Sequence, residues 1–211
     1  MIIKFLRTFI MLIGMNVFLC AHAPAIQQQD FNNADEKKAF AFLKNTLKKS
    51  NEIAKQSSQT QKTKRKFATI MTNSFAIPHI AKFSLGREFR KYSTENFTQF
   101  ERTLSDYLLK VYATQEKIDV FASINIEDDD ISNVPELSPR KNRLTYKAVF
   151  ESKNGPINTQ FVIIKIDNNK YKIFDIRVEG IGLLSNLRSQ VSTLSVNKSI
   201  EDFLKDFAKK A

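Results

Sequence analysis

The segment LTYKAVFESKNGPINTQFVIIKIDNNKYKIFDIRV, residues 144–178, decides the fold. Leu144, Tyr146, Ala148 and Phe150 alternate with Thr145, Lys147, Val149 and Glu151, the period of two of a strand with one covered face. Asn154-Gly155 is a hairpin signal, because both residues tolerate the positive φ of a tight turn. Phe161-Val162-Ile163-Ile164 is apolar at every position, which predicts a central strand covered on both faces. Asn168-Asn169 marks a second turn, and Tyr171 to Val178 reads as the next strand. Upstream, Val120, Ala122, Ile124 and Ile126 alternate with Asp119, Phe121, Ser123 and Asn125, which predicts one strand more. Sequential strands joined this way give a four-stranded antiparallel sheet.

Around the sheet the apolar period changes to that of helices. Asp35 to about Lys55 places Ala39, Phe40, Phe42, Leu43 and Leu47 on one side of a helix. Gln56 to Lys64 is polar and reads as a loop. Phe67, Ile70, Met71 and Phe75 mark a second helix; Pro78 restarts the chain, Ile80, Phe83 and Leu85 follow at helical spacing, and Gly86 is a stop signal. Ser93 reads as the N-cap of the stripe Phe97, Phe100, Leu104, Tyr107, Leu108 and Val111. After the strands, Gly180 and Gly182 interrupt the pattern. A helix then carries Leu183, Leu184, Leu187 and Val191, and Ser199 opens a last one with Phe203, Leu204 and Phe207. About six helices packed on one antiparallel sheet make an α+β domain, cone-like, whose interior is either a filled Phe-heavy core or an apolar pocket lined from both helices and sheet.

The N-terminus reads as an address. Lys4 and Arg7 precede an apolar run from Phe9 to Leu19, and Ala21-His22-Ala23-Pro24-Ala25 follows, the pattern of a secretory signal. Pro24 makes a poor first mature residue, so the cut is placed after Ala25, giving a signal over 1–25, a flexible stretch over 26–34 and a domain over 35–211. An uncleaved anchor is the alternative, but the run is short for a membrane span. Lipidation at Cys20 is disfavoured by Leu19, where a small residue is usual.

Composition limits the chemistry. The chain has 211 residues, 18 Phe, no Trp, one Cys, two His and a formal charge of +11. One Cys excludes an internal disulfide, and five Gly leave no room for a P-loop or dinucleotide fingerprint. Loss of the signal removes Cys20, His22, Lys4 and Arg7, which lowers the charge to +9 and leaves His79 as the last histidine. No zinc ligand set remains, and export without disulfides suits a periplasm. Asp119, Asp175, Glu179 and His79 are the acid–base candidates. Asp175 stands two residues from Arg177 on one strand face, so a local ion pair is the plainer reading beside that of a catalytic base. Basic clusters occur at Lys62-Lys64-Arg65-Lys66, Arg87-Arg90-Lys91 and Arg140-Lys141-Arg143. A solvated surface accounts for them, with attraction to an anionic membrane or partner as the alternative; an exported protein rarely meets nucleic acid.

Two stretches resemble a known family. Leu85-Gly86-Arg87-Glu88-Phe89-Arg90-Lys91, followed by Ser93 and the helix Phe100…Leu104…Leu108…Tyr112-Ala113, is similar to the MlaC, or toluene-tolerance auxiliary, family of periplasmic phospholipid-binding proteins. Phe174-Asp175, then Glu179-Gly180-Ile181, Arg188 and Gln190, form the second match, and the resemblance runs from about Phe67 to Phe207. Gly182 stands where the family usually has Ser, Val191 where it has Phe, and Ala76 where Asp is frequent. The resemblance implies an NTF2-like α+β cone that shuttles phospholipid between the outer membrane and an inner-membrane ABC transporter complex. Its implied partners are that transporter and an outer-membrane lipoprotein complex, and its implied state is a monomer. No catalytic residue, metal or cofactor is implied. A carrier of another lipid, such as a hopanoid, a pocket-type isomerase or dehydratase using Asp175 or Asp119, and a structural or chaperone-like periplasmic protein with a filled core stay open as alternatives. The expected lipid lining is Ile80, Phe83, Phe89, Tyr107, Val111, Tyr146, Ala148, Phe150, Phe161, Ile163, Phe174, Ile176, Ile181 and Leu184. Arg87, Arg90 and Arg143 are the candidates for the head group.

Overall fold

The structure is a computed structural model that describes residues 32–56, 61–124, 126, 131–132, 135–138, 142–151, 155–167 and 170–211. The signal segment, the Asn168-Asn169 turn, Asn154, Arg140 and Lys141 lie outside the described residues. Among those described are helices α1 (Asn33–Ala54), α2 (Gln61–Ser74), α3 (Ile77–Leu85), α4 (Thr94–Tyr112), α5 (Gln115–Ser123), α6 (Leu183–Ser195) and α7 (Ile200–Ala208), with a 3-10 helix over Gly86–Lys91. Strands β1 (Glu136–Leu137), β2 (Leu144–Phe150), β3 (Ile157–Asp167), β4 (Lys170–Val178) and β5 (Ile181–Gly182) form one sheet in chain order, every neighbour antiparallel.

The fold is α+β, as expected, but the sheet has five strands rather than four. Two are short edges, and the strand expected over 119–126 is largely helix α5. Its apolar residues also satisfy a helical spacing. Ile118 is fully buried, Phe121 meets Phe67 edge-on at 5.3 Å between ring centroids, and Val120 is left 40% exposed. Asn51 settles the matter from a distant helix: its side-chain amide donates to the Phe121 carbonyl (2.5 Å) and the Ile124 carbonyl (2.9 Å). Those are carbonyls that a helix end leaves open. Similarly, α2 begins at Gln61, inside the stretch expected to be loop.

Local signals place the other helix ends. Asn32 Oδ1 accepts from the amides of Ala34 and Asp35, while Asp35 accepts from the Asn32 amide, a reciprocal cap. Ser93 accepts from Asn96 and Ser199 from Asp202, so both predicted caps form. Pro78 lies in the first turn of α3, and Gly86 ends that helix at φ +59°. Gly180 does not end the sheet. With Glu179 it makes a two-residue turn, both φ positive at 80° and 49°, that folds β5 back on β4. Beyond β5, the Ala76 amide donates to the Ile173 carbonyl and covers more of the same edge.

The register assigns the two faces of the sheet. Tyr146, Phe161 and Ile176 stand opposite one another across β2, β3 and β4, as do Leu144, Ile163 and Ile173. Helix α1 lies on this face. Tyr146 donates to the Glu36 carbonyl at 2.7 Å and its ring lies 5.8 Å from that of Phe40. Lys165 Nζ and the Tyr171 hydroxyl both donate to the buried Asp35 carboxylate, at 3.0 and 2.7 Å. A separate aromatic layer joins α4 to α7: Phe100 meets Phe203 and Phe207 at 5.6 and 5.3 Å, and Tyr107 meets Phe207 at 5.4 Å. Among the described residues no helix is long and apolar enough to cross a membrane.

Candidate functional site

A bulge in β4 builds the site. Val162 pairs with Asp175, but Ile163 pairs with Ile173, so Phe174 is the extra residue. Strict alternation would put Phe174 and Ile176 on one face. The bulge instead leaves Ile176 opposite Phe161 and turns Phe174 towards α3, where its ring meets Phe83 edge-on at 5.7 Å. Between this stretch of sheet and helices α3 and α6 lies a cleft of about 690 Å³. Phe83, Val162, Phe174 and Leu184 supply its apolar surface.

Asp175 fastens the cleft. Oδ1 accepts from the Leu184 amide at 3.0 Å and Oδ2 from Arg177 Nε at 3.1 Å. Helix α6 has Gly182 at its N-cap and therefore no capping side chain of its own. The carboxylate reaching over from β4 takes that part, and its charge suits the helix N-terminus. A Cβ on Gly182 would stand 3.3 Å from Asp175 Oδ2, so glycine leaves room for the cap. The ion pair expected from sequence is present, and both carboxylate oxygens are engaged.

The cationic side of the cleft is stacked on its aromatic floor. The Arg143 guanidinium lies 4.4 Å from the centroid of Phe174, and that of Arg188 lies 5.2 Å from Phe83. An arginine over an aromatic face keeps its charge and its planar fork while shielding the ring from water.

Of the residues expected to line a pocket, Phe83, Phe174 and Leu184 meet here, together with Arg143. Ile80, Tyr146, Ala148, Phe150, Phe161 and Ile163 are at most 4% exposed in the packed core. Phe89 packs edge-on against Phe97 at 4.9 Å, and Tyr107 donates to Gln190 at 2.9 Å, so both lie away from this cleft. Val111 is half-buried on α4, Ile176 is half-buried, and Ile181 is 65% exposed on β5. Arg87 and Arg90 are exposed on the 3-10 helix and do not line the cleft. The residues that sequence reasoning leaves out are Val162, Arg188 and the serines of α6. Arg188 belongs to one of the two family-like stretches, but its neighbour in space, Gly86, belongs to the other.

The remaining acid–base candidates do not join the cleft. Asp119, exposed on α5, accepts from Gln115, and Glu179 accepts from the Asn158 amide at 2.6 Å. His79 is half-buried in the first turn of α3. A second groove, about 710 Å³, runs along α1 and α2 beside Lys62, Arg65 and Lys66. It has no aromatic floor and no residue from the sheet.

An aromatic floor with a cationic rim, set between a curled antiparallel sheet and its helices, defines a binding protein for a small amphiphile. The sequence model of the MlaC protein family matches residues 41–209, and the chain belongs to that family. Among solved structures it is similar to the phospholipid-binding protein from Ralstonia solanacearum, determined in complex with a phospholipid. The TM-score is 0.68 at 12% identity, over 82% of this chain and 96% of that one, which is a likeness of fold. No curated protein matches it in sequence.

Proposed function

We propose that this protein is a periplasmic phospholipid carrier, moving lipid between the outer membrane and an inner-membrane ABC transporter complex, and so helping to keep the outer membrane asymmetric. The observation that carries the reading is the cleft, apolar and aromatic below and cationic at the rim, in a chain of the MlaC family. The similar fold from Ralstonia solanacearum holds a phospholipid, which supports that class of cargo. Residues 1–25 act as the export signal. The protein works as a monomer, with the transporter and an outer-membrane lipoprotein complex as its docking partners.

The energetics suit a carrier. A two-chain lipid has roughly 30 methylenes, each worth about 0.8 kcal/mol when shielded from water, or about 24 kcal/mol in all. A cleft of about 690 Å³ is the size of an ordinary small-ligand site, so it takes the part of the lipid nearest the head group. The chains continue under α3 past Ile80, which is fully buried one turn before Phe83. Their entry requires α3 and α6 to part from the sheet. The decisive experiment is native mass spectrometry on protein purified from the periplasm. A phospholipid-sized adduct that disappears on delipidation is expected. A bare protein mass, repeated under gentle conditions, overturns the reading.

A further inference from the structure

Two parts of the chain that are remote in sequence meet at one spot beside the cleft. Arg188 projects from α6, on the face that also carries Ser185, Ser189 and Ser192 and lines the cleft. Its guanidinium crosses to the far end of α3, where a Cβ on Gly86 would stand 3.0 Å from Arg188 Nη2. Gly86 therefore does two things: it takes the positive φ that ends α3, and it leaves the space in which the guanidinium lies over Phe83.

Among the described residues no carboxylate pairs with that charge. Asp175 is the one carboxylate among the lining residues, and its oxygens are committed to Arg177 and to the Leu184 amide. Arg188 makes no ion pair with any described carboxylate, and the Ser189 and Ser192 hydroxyls have no side-chain hydrogen bond among the described residues. Among the described residues the lining holds three arginines, Arg143, Arg177 and Arg188, and one acid. Because Phe83 abuts Phe174, the Arg188 cation sits at the border of the apolar floor. A ligand that satisfies both has an anion joined directly to an apolar body.

We propose that Arg188, aided by the Ser189 and Ser192 hydroxyls and by the field of Arg143, is the cradle for the phosphodiester of the carried lipid. The inference rests on the carrier reading above and adds the recognition element to it. A planar guanidinium pre-oriented on a ring binds phosphate oxygens in pairs, which lysine at this position would not reproduce. Arg87 and Arg90 do not share this setting, since they lie outside the cleft lining.

The test uses delipidated mature protein titrated with dihexanoylphosphatidylglycerol, dihexanoylglycerol and inorganic phosphate, in the wild type, Arg188→Ala and Arg188→Lys. Circular dichroism confirms that each is folded. The wild type is expected to bind the phospholipid about tenfold or more tightly than the diacylglycerol, as one charge-assisted contact implies. Arg188→Ala should bring the two within about twofold by weakening the phospholipid alone, and Arg188→Lys should fall between. A preference that survives in Arg188→Ala overturns the cradle and leaves the carrier intact. Inorganic phosphate binding as tightly as the phospholipid makes this a site for the free anion and overturns the lipid assignment. Failure of the wild type to bind either lipid overturns the carrier reading, and the cradle with it.

Discussion

Replacing Asp35 by asparagine isolates the clamp that holds α1 on the sheet. The carboxylate accepts from Lys165 Nζ at 3.0 Å, from the Tyr171 hydroxyl at 2.7 Å and from the Asn32 amide at 3.1 Å. Both side chains of the ion pair are at most 10% exposed, so solvent does little to screen it. The amide introduced by Asp35→Asn still offers Tyr171 an acceptor, but it leaves the Lys165 ammonium buried without its counter-charge. Removing one partner of a buried pair costs about 3–5 kcal/mol, and the retained acceptor puts the expected loss near the lower end, about 3 kcal/mol. For a chain of this length that is a fall in Tm of roughly 6–12 °C. Urea unfolding followed by circular dichroism reads it directly, and raising the salt should change the difference little. The double variant Asp35→Leu with Lys165→Met should be more stable than the sum of the single losses, because no charge is left unpaired. The pH dependence has a definite sign. Burial pushes the Asp35 carboxyl up, but the hydrogen bonds from Tyr171 and Lys165 outweigh it and hold it below the ordinary 3.8. Its contribution is therefore complete above about pH 3.8 and is lost as pH falls through the lower folded value. Asp35→Asn should lack that part of the acid slope. A cost below about 1 kcal/mol, or strict additivity in the double variant, would refute the clamp.

Asn51→Ala should cost about 2 kcal/mol, since it leaves two carbonyls at the end of α5 without their donor. Hydrogen exchange should then quicken in Gln115–Ser123 well before the rest of the chain. Asp175→Asn should lower Tm by only a few degrees, because the amide oxygen can still cap α6 and Arg177 is 44% exposed at its side chain. Lipid found by mass spectrometry should persist in that variant; its disappearance would give the charge of Asp175 a part in binding beyond the cap.

What can be read from the chain depends on how local its cause is. Ser93, Ser199, Pro78 and Gly86 each act within one turn of backbone, and each sits where its chemistry requires. The Asp175–Arg177 pair needs only the period of a strand. Helix α5 escapes a sequence reading because Val120, Ala122 and Ile124 alternate while Ile118 and Phe121 also fit a helix; the arbiter is Asn51, some seventy residues earlier. The Asp35, Lys165 and Tyr171 cluster spans more than 130 residues and has no local signature. The meeting of Gly86 with Arg188 is of the same kind, and that is why Arg188 is not among the three arginines that the sequence offers for the head group.

The phenylalanine excess divides by the same logic. Phe97, Phe100, Phe203 and Phe207 are at most 1% exposed, and Phe100, Phe203 and Phe207 close the aromatic layer of α4 and α7. Their rings make a packed wall: truncating a buried Phe to Ala typically costs about 3–5 kcal/mol, so this layer resists opening. Phe83 and Phe174 differ, since each has a guanidinium over it in addition to the edge-on contact between the two rings. A stacked guanidinium can be moved into water with its charge intact, at a cost of about 0.5–1 kcal/mol where the contact is exposed and about 2 kcal/mol over a buried ring such as Phe174, still below that of opening the aromatic layer. The cheap place to open the molecule is therefore between α3, α6 and β4, and not between α4 and α7. One residue type thus fills two roles, and the company of each ring decides which: rings alone in the layer that stays shut, a guanidinium as well along the cleft proposed to admit lipid.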